Sequence, residues 1–378
     1  MEKIRAAVIG CGAISRAYMN NLKKRFSIIE LAACCDLNEA RAAEAAAEYG
    51  ISAMSLEAIL ADPSVDMVID LTNPSAHYAV NKAALEAGKH VYSEKMLANT
   101  AAEGRELYSI ARSKGLLLGT APDTFLGAAL QTARYVIDRG LIGKPLSFNV
   151  SLSRDYEIFG EILPHLTKPG GSITWDVSCY YLTALASLLG PAEKITGFTA
   201  TNESARVNSR VGSPNFGKEY TVEVENIAAM SIVYKNGVIG TVHLNSDCIF
   251  DEDRALKIFG TEGILSLDDP NQFGSTLRLK KPFHDDIVFP FTHGFENESR
   301  GLGAAEMAWA LRSGRKPRTD ALMNIHLLDM MEGLLESSAT EKVVHIESGF
   351  EQPAPLPAGY VTREEYGFFS PTEESALV

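Results

Sequence analysis

Lys3-Ile4-Arg5-Ala6-Ala7-Val8-Ile9-Gly10-Cys11-Gly12-Ala13-Ile14-Ser15 decides how the first third of this chain is read. Lys3–Ile9 is an apolar run of strand length, and the pattern over Ala13–Arg25 is helical. Between them, Gly10 permits a tight turn. Gly12 lets the backbone approach a pyrophosphate at a helix N-terminus, where N–H groups point outward. Ser15 takes the third small position and still allows close helix–strand packing. The loop alone is also compatible with a bare strand–glycine–helix turn. Asp36 adds weight: it follows the next apolar run, 26 residues after Gly10. A carboxylate there can hydrogen-bond both hydroxyls of a ribose and repels a 2′-phosphate, which selects NAD; helix capping is its plainer role. Gly10, Gly12, Ala13, Ile14 and Asp36 are the expected cofactor contacts.

Working outward, Ile28–Cys35 reads as a second strand, and Asn38 caps a helix of strong formers that stops at Gly50. Asp66–Leu71 is a third strand, followed by a helix from Pro74 to Ala87. His90–Ser93 is a fourth. Thr100 and Glu103 have capping-box spacing before a helix that ends at Gly115, and Leu116–Gly119 is a further strand. Strands alternating with helices mean βαβ units and a parallel sheet. Residues 1–121 are therefore expected to form a dinucleotide-binding Rossmann domain.

The pattern then changes. After a helix at Ala128–Arg139, the segments Leu146–Ser153, Glu193–Thr201, Val222–Tyr234 and Gly237–Asn245 read as strands of a mainly antiparallel sheet. Asn236-Gly237 and Gly260–Gly263 mark hairpins. Helices return at Ser299–Arg312 and Ala321–Glu336. This predicts an α+β domain over residues 122–350, with helices on one face of the sheet. Residues 351–378, Pro-rich and then acidic, are expected to be an extended surface arm.

The chain has 378 residues, 48 acidic against 35 basic, and a formal net charge of −13. That balance argues against nucleic acid and anionic membranes as partners. No apolar run reaches 18 residues, and MEKIRAAVIG lacks the pattern of a signal peptide. Five cysteines without a CxxC spacing read as reduced thiols in a cytoplasm. No HExxH-like cluster occurs, so no protein-bound metal is expected.

Three further segments carry a recognisable pattern: Leu71-Thr72-Asn73-Pro74-Ser75-Ala76-His77, Gly88-Lys89-His90-Val91-Tyr92-Ser93-Glu94-Lys95-Met96, and Gly170-Gly171-Ser172-Ile173-Thr174-Trp175-Asp176-Val177-Ser178-Cys179-Tyr180. With Gly10-x-Gly12 they resemble the Gfo/Idh/MocA family of NAD(P)-dependent oxidoreductases over about residues 3–340. The resemblance implies a Rossmann domain followed by a domain with a large open sheet that builds a homodimer or homotetramer. It also implies that Glu94 contacts the nicotinamide-side ribose, that Lys95 reaches the reacting hydroxyl, and that Thr72, Asn73 and His77 line the cofactor pocket. The family's usual Glu-Lys-Pro is Glu94-Lys95-Met96 here, and a cis bond before Met96 is not expected. Asp176 and Tyr180 stand where many members have Asp and His. The glucose–fructose oxidoreductase and dihydrodiol dehydrogenase branches are similar in using Tyr. A spacing of four would place both on one helix face. Core packing is the plainer role for Tyr180, and more so for Tyr181.

Oxidising a secondary alcohol needs a hydride acceptor and a proton acceptor. Lys95, beside an oxidised nicotinamide, is expected to have a lowered pKa, and Tyr180 a pKa lowered by the Lys95 ammonium. Either can act as the base; Tyr180 is preferred narrowly, with Lys95 as its partner and Asp176 orienting a hydroxyl. Trp175 and Asp123 are candidate substrate contacts. Arg154, His165 and Lys168 are candidates for the pocket mouth, each more simply read as surface, and Asn297 and Arg300 as helix-capping residues. The leading expectation is an NAD-dependent dehydrogenase of a sugar, polyol or glycoside hydroxyl. An NAD-dependent glycosidase working by transient oxidation and elimination, and a non-catalytic dinucleotide sensor, are the alternatives.

Overall fold

A computed structural model of the chain describes residues 2–156, 164–248 and 254–357. The first unit alternates β1 (Ile4–Ile9), α1 (Ser15–Lys24), β2 (Ile29–Cys35), α2 (Glu39–Tyr49), β3 (Ser52–Ala53), α3 (Leu56–Ala61), β4 (Met67–Asp70), α4 (Pro74–Glu86), β5 (His90–Ser93), α5 (Ala101–Ser113) and β6 (Leu118–Thr120). Its sheet has the order β3-β2-β1-β4-β5-β6, with every pair parallel. Strand order reverses between β1 and β4, which opens a crevice at the carboxyl ends of these strands. The local signals act as the sequence indicates. The Asn38 side chain accepts from the Ala40 and Arg41 N–H groups, and Thr100 and Glu103 form a reciprocal capping box. β3 and α3 escaped the periodicity reading: one is two exposed residues, the other a six-residue helix capped by Ser55.

The second unit contains α6 (Ala128–Asp138), β7 (Pro145–Ser153), α7 (Ile173–Asp176), α8 (Ser178–Leu189), β8 (Ala192–Ala200), β9 (Ala205–Val207), β10 (Glu219–Thr221), β11 (Ile227–Tyr234) and β12 (Ile239–Asn245). It continues with β13 (Ala255–Gly260), β14 (Ile264–Leu267), β15 (Leu277–Lys280), β16 (Ile287–Val288), α9 (Leu302–Ser313), α10 (Ala321–Thr340) and β17 (Val344–His345). Nine strands form one sheet in the order β16-β15-β14-β13-β7-β12-β11-β8-β17. All its pairs are antiparallel except β7 with β12. Both expected hairpins form, with Gly237 at φ +87° and the Gly260 N–H donating to the Gly263 carbonyl.

Val222–Tyr234 is not one strand. β10 pairs with β9 in a separate ribbon, and β11 starts only at Ile227. The residues between leave the sheet because other partners take their polar groups. The Glu223 N–H donates to the Thr167 carbonyl, and the Asn226 side chain bonds the Asn202 backbone through both its oxygen and its nitrogen.

One face of the large sheet is covered by α10, against which the wholly buried α8 packs; the other is open, with Phe198 and Ile239 exposed. The last helices also return to the first sheet. The Thr120 N–H donates to the Thr319 carbonyl, and the Leu97 N–H to Asn324 Oδ1 at 3.1 Å. Residues 351–357 of the expected arm lie against this junction: Arg318 donates to the Ala354 and Pro355 carbonyls, and Leu356 is buried. The rest of the arm lies outside the described residues.

Candidate active site

At the end of β1 the chain turns through Gly10 at φ +96°. A Cβ there would come within 2.7 Å of the Leu71 carbonyl, so no other residue fits. A Cβ on Gly12 would meet nothing within 4 Å: the backbone faces open space. Ala13 is exposed, and the α1 N-terminus has no side-chain cap. Among the described residues the Gly12, Ala13 and Ile14 N–H groups have no hydrogen-bond acceptor, whereas Ser15 turns back to the Gly12 carbonyl through Oγ at 2.7 Å. Three converging donors at a helix N-terminus suit a pyrophosphate. Asp36 stands beside them, at the end of β2. Its Oδ2 accepts from the Cys11 N–H and its Oδ1 from the Asn38 N–H, both at 2.7 Å, which holds the carboxylate at the rim of the loop.

The next wall comes from the ends of β4 and β5. The buried Asp70 accepts from the Thr72 N–H and hydroxyl. Asn73 is exposed and does not use its side chain to cap α4. His77 is buried, with Nδ1 2.7 Å from the Met96 carbonyl and Nε2 2.9 Å from the Thr72 carbonyl. It therefore braces two loops of the crevice rather than facing it. Glu94 Oε1 accepts from the Tyr18 hydroxyl at 2.6 Å, and Oε2 from the Lys95 N–H. Against expectation, the Lys95–Met96 peptide is cis. The segment is held on both sides of that bond: the Glu94 N–H donates to the Asp70 carbonyl, and Asn324 takes the Leu97 N–H.

Lys95 is where the two units meet. Its Nζ lies 2.7 Å from Asp176 Oδ1 and 2.8 Å from the Asp176 carbonyl, and 5.3 Å from the centre of the Tyr180 ring. Asp176 and Tyr180 do not share one continuous helix, as their spacing suggested. α7 ends at Asp176 and α8 starts at Ser178. Side chains account for the break: the Ser178 hydroxyl takes the Thr174 carbonyl, while Lys95 and the Cys179 thiol take that of Asp176. Both residues still reach Lys95. Upstream, a Cβ on Gly171 would collide with the His165 carbonyl at 1.9 Å, so the glycine pair lets the 165–171 turn close against α7.

The electrostatics differ from the sequence expectation. Burial alone would lower Lys95, but the Asp176 carboxylate, with Tyr180 behind it, holds it well above its ordinary value. Burial would raise Asp176; Lys95 and His165 bring it below the usual carboxylate range. Burial pushes Tyr180 up to about 12, outweighing the pull of Lys95 and Arg300. The expected lowering of both Lys95 and Tyr180 is thus reversed, because a carboxylate and a dry environment outweigh the cations.

Three contributors were missed. Tyr156, at the edge of β7, donates to Asp176 Oδ2 at 3.2 Å. Tyr18, on α1, holds Glu94. Arg300, read as a cap, interacts electrostatically with Tyr180 and donates to Asn271 Oδ1 at 2.7 Å. No local motif marks any of them, since each is brought in by tertiary packing. Asp123 is not at the surface or in the crevice: it is buried, and Oδ2 accepts from the Gly301 and Gly303 N–H groups. Trp175 is buried, with an indole N–H lacking a partner among the described residues. Tyr181 is core, its hydroxyl 3.5 Å from Asp269. Among the described residues no group of three potential metal ligands occurs.

Residues 4–121 match the oxidoreductase family with an NAD-binding Rossmann fold, and residues 130–266 match the GFO/IDH/MocA C-terminal domain. A 1,5-anhydro-D-fructose reductase of Ensifer adhaerens is 30% identical over 272 residues, 69% of this chain and 74% of that one. The chain belongs to the GFO/IDH/MocA family. A second family member, the scyllo-inositol 2-dehydrogenase (NAD(+)) of Bacillus subtilis (strain 168), is 26% identical over 86% of this chain and 92% of its own. The fold is also that of a levoglucosan dehydrogenase solved with NADH, at TM-score 0.77 and 19% identity, over 92% of this chain and all of that one. As a GFO/IDH/MocA oxidoreductase, the protein takes NAD as its cofactor, and its Gly10–Ile14 loop fits that group.

Proposed function

We propose that the protein is an NAD-dependent dehydrogenase of a secondary hydroxyl on a sugar or inositol-like polyol. The Lys95–Asp176–Tyr180 constellation carries this reading, since it unites an ammonium, a carboxylate and a phenol at the mouth of a dinucleotide crevice. The polyol chemistry of the relatives supports the substrate class. Gly12, Ala13 and Ile14 would hold the pyrophosphate, Asp36 the adenine-side ribose and Glu94 the other ribose, with Thr72 and Asn73 lining the pocket and His77 fixing its walls. Bound NAD supplies the hydride acceptor.

The chain's own residues handle the proton. A hydroxyl that enters the Lys95–Asp176 pair accepts from the ammonium and donates to the carboxylate, which fixes its orientation. Tyr180, in the field of Lys95 and Arg300, is the acid/base group. Its raised pKa keeps it protonated and ready to donate in the direction of ketone reduction; in oxidation, Lys95 and Arg300 stabilise the phenolate that accepts the proton. Asp123 positions the Gly301–Gly303 turn that follows Arg300.

The open face of the nine-stranded sheet, with Phe198, Ile239 and Thr241 exposed, supports a homodimer or homotetramer. The five unpaired thiols agree with a cytoplasmic location. The test is to incubate the protein with NAD and a panel of sugars, inositols and aryl glycosides. NADH absorbance and aglycone release are followed together. NADH formation without aglycone supports the proposal; aglycone release without NADH would replace it with redox-neutral hydrolysis.

A further inference from the structure

A cavity of about 360 Å³ is bordered by Tyr156, the tyrosine that donates to Asp176. That is within the range of about 300–1,000 Å³ usual for small-molecule pockets. Its walls are the turn at Leu166–Lys168 and the β9–β10 ribbon with the segment that follows it, and Tyr156 lines it too. Two contacts tie it to the active site. Tyr156 donates its hydroxyl to Asp176 Oδ2. Glu225, in the cavity wall, accepts from the Ser172 hydroxyl at 2.5 Å, just before α7. Asp176 thus has one oxygen facing Lys95 and the other facing the residue that borders the cavity.

We infer that this cavity receives a second sugar ring, so that the substrate is a disaccharide or similar two-ring glycoside. This rests on the dehydrogenase reading above. The lining is of the kind that recognises neutral carbohydrate: the amides of Asn208 and Asn215, the Thr221 hydroxyl, the Tyr220 ring and the apolar Val224. It carries no surplus positive charge for a phosphate. Lys168 and Arg206 are paired with Glu223 and Asp247, Lys218 donates to Asn215 Oδ1 at 3.0 Å, and Glu219 and Glu225 add two carboxylates to the lining. The reacting ring sits at Lys95 and Tyr180, and the second ring passes Tyr156.

Val224→Trp fills the cavity without touching Lys95, Asp176 or Tyr180; Asn215→Ala removes an amide from its wall and is the milder control. NADH formation is measured on glucose and on its disaccharides cellobiose, maltose, laminaribiose and trehalose. Binding of the same sugars to the NAD-loaded protein is measured by saturation-transfer NMR. At least one disaccharide is expected to exceed glucose tenfold in kcat/KM. Val224→Trp should remove that advantage and leave glucose oxidation unchanged, and Asn215→Ala should reduce it in part. Disaccharides no better than glucose, or unaffected by Val224→Trp, would overturn the inference while leaving the dehydrogenase reading intact. If none of these sugars is oxidised, the dehydrogenase reading is decided by the wider panel of sugars, inositols and aryl glycosides above, and the binding arm decides the cavity separately. Disaccharide signals lost in Val224→Trp support it, and equal signals in both proteins refute it.

Discussion

Lys95 carries more of the proposed chemistry than any other side chain, and its partners are satisfied before any substrate arrives. Its ammonium is paired with Asp176, so a substrate hydroxyl must displace or bridge that contact. Lys95→Ala should cut turnover by about 10²-fold or more, the usual size of a lost charge-stabilising or acid–base group. Cofactor affinity, by calorimetry, should change far less, because the Gly12–Ile14 donors and Asp36 are remote from Nζ. Near-wild-type turnover would remove Lys95 from the mechanism. Tyr180→Phe keeps the ring beside Lys95 and removes only the hydroxyl. A loss of about 10²-fold in turnover is expected, with the basic limb of the pH–rate profile altered, while Tyr181→Phe should be nearly silent. An unchanged rate and profile would leave Lys95 as the sole proton carrier. Asp36 should favour NAD over NADP by at least about tenfold, or ~1.4 kcal/mol, and Asp36→Ser should narrow the gap. Equal affinities for the two cofactors in the wild type would refute that role.

At the scale of elements, what could be read in advance was what short-range chemistry encodes. Asn38, Thr100 with Glu103, Gly50 and Asn236-Gly237 each set a helix end or a turn through contacts within a few residues, and each acts as its sequence indicates. The Asp176–Tyr180 spacing misled because the distant Lys95, with the nearby Ser178 hydroxyl and Cys179 thiol, took carbonyls at the break. Asp123 misled for a similar reason: nothing near it in sequence shows that residues 301–303 will come to its carboxylate. Its position has a measurable result. Burial pushes this carboxyl up to about 7, against the pull of the Gly303 N–H and Arg300. In the unfolded chain it titrates near its ordinary value of about 4. Between those values the native state holds a proton that the unfolded state has released. This group's contribution is therefore full below about pH 4 and is lost as pH rises through 7. Asp123→Asn, which can still accept both N–H groups, should remove that slope. Denaturant unfolding at pH 5 and pH 8 should show the variant gaining on the wild type by on the order of 2 kcal/mol. A constant difference would mean that Asp123 is ionised throughout.

Over the whole molecule, the sequence announced a parallel sheet and a mainly antiparallel one, but not the order of nine strands or the one parallel pair, β7 with β12. Those depend on which apolar faces meet once the chain has collapsed. The open face is the clearest whole-molecule prediction. Phe198 and Ala229 pair across β8 and β11, and Val233 and Ile239 across β11 and β12, which places apolar side chains on the uncovered face of these three strands. The double variant Phe198→Asp with Ile239→Lys should shift sedimentation velocity from an oligomer to a monomer. A wild type already monomeric at micromolar concentration would exclude an oligomer through this face.

The return of α9 and α10 to the first sheet has a further consequence, for how the chain is made. When residue 121 leaves the ribosome, every strand of the nucleotide-binding sheet exists, yet its flank is bare. Gly119 still lacks Met307 and Thr319 against it, and the Leu97 and Ala101 amides still lack Asn324 and Glu332. About three quarters of the remaining chain must be synthesised before those groups arrive, at ~5–20 residues per second. The nascent first unit therefore waits on the order of ten seconds or more with apolar surface and polar backbone uncovered. A stalled nascent chain ending near residue 290 should remain protease-sensitive within residues 90–121 and bind hydrophobic dyes, whereas one extended past residue 345, clear of the exit tunnel, should lose both properties together.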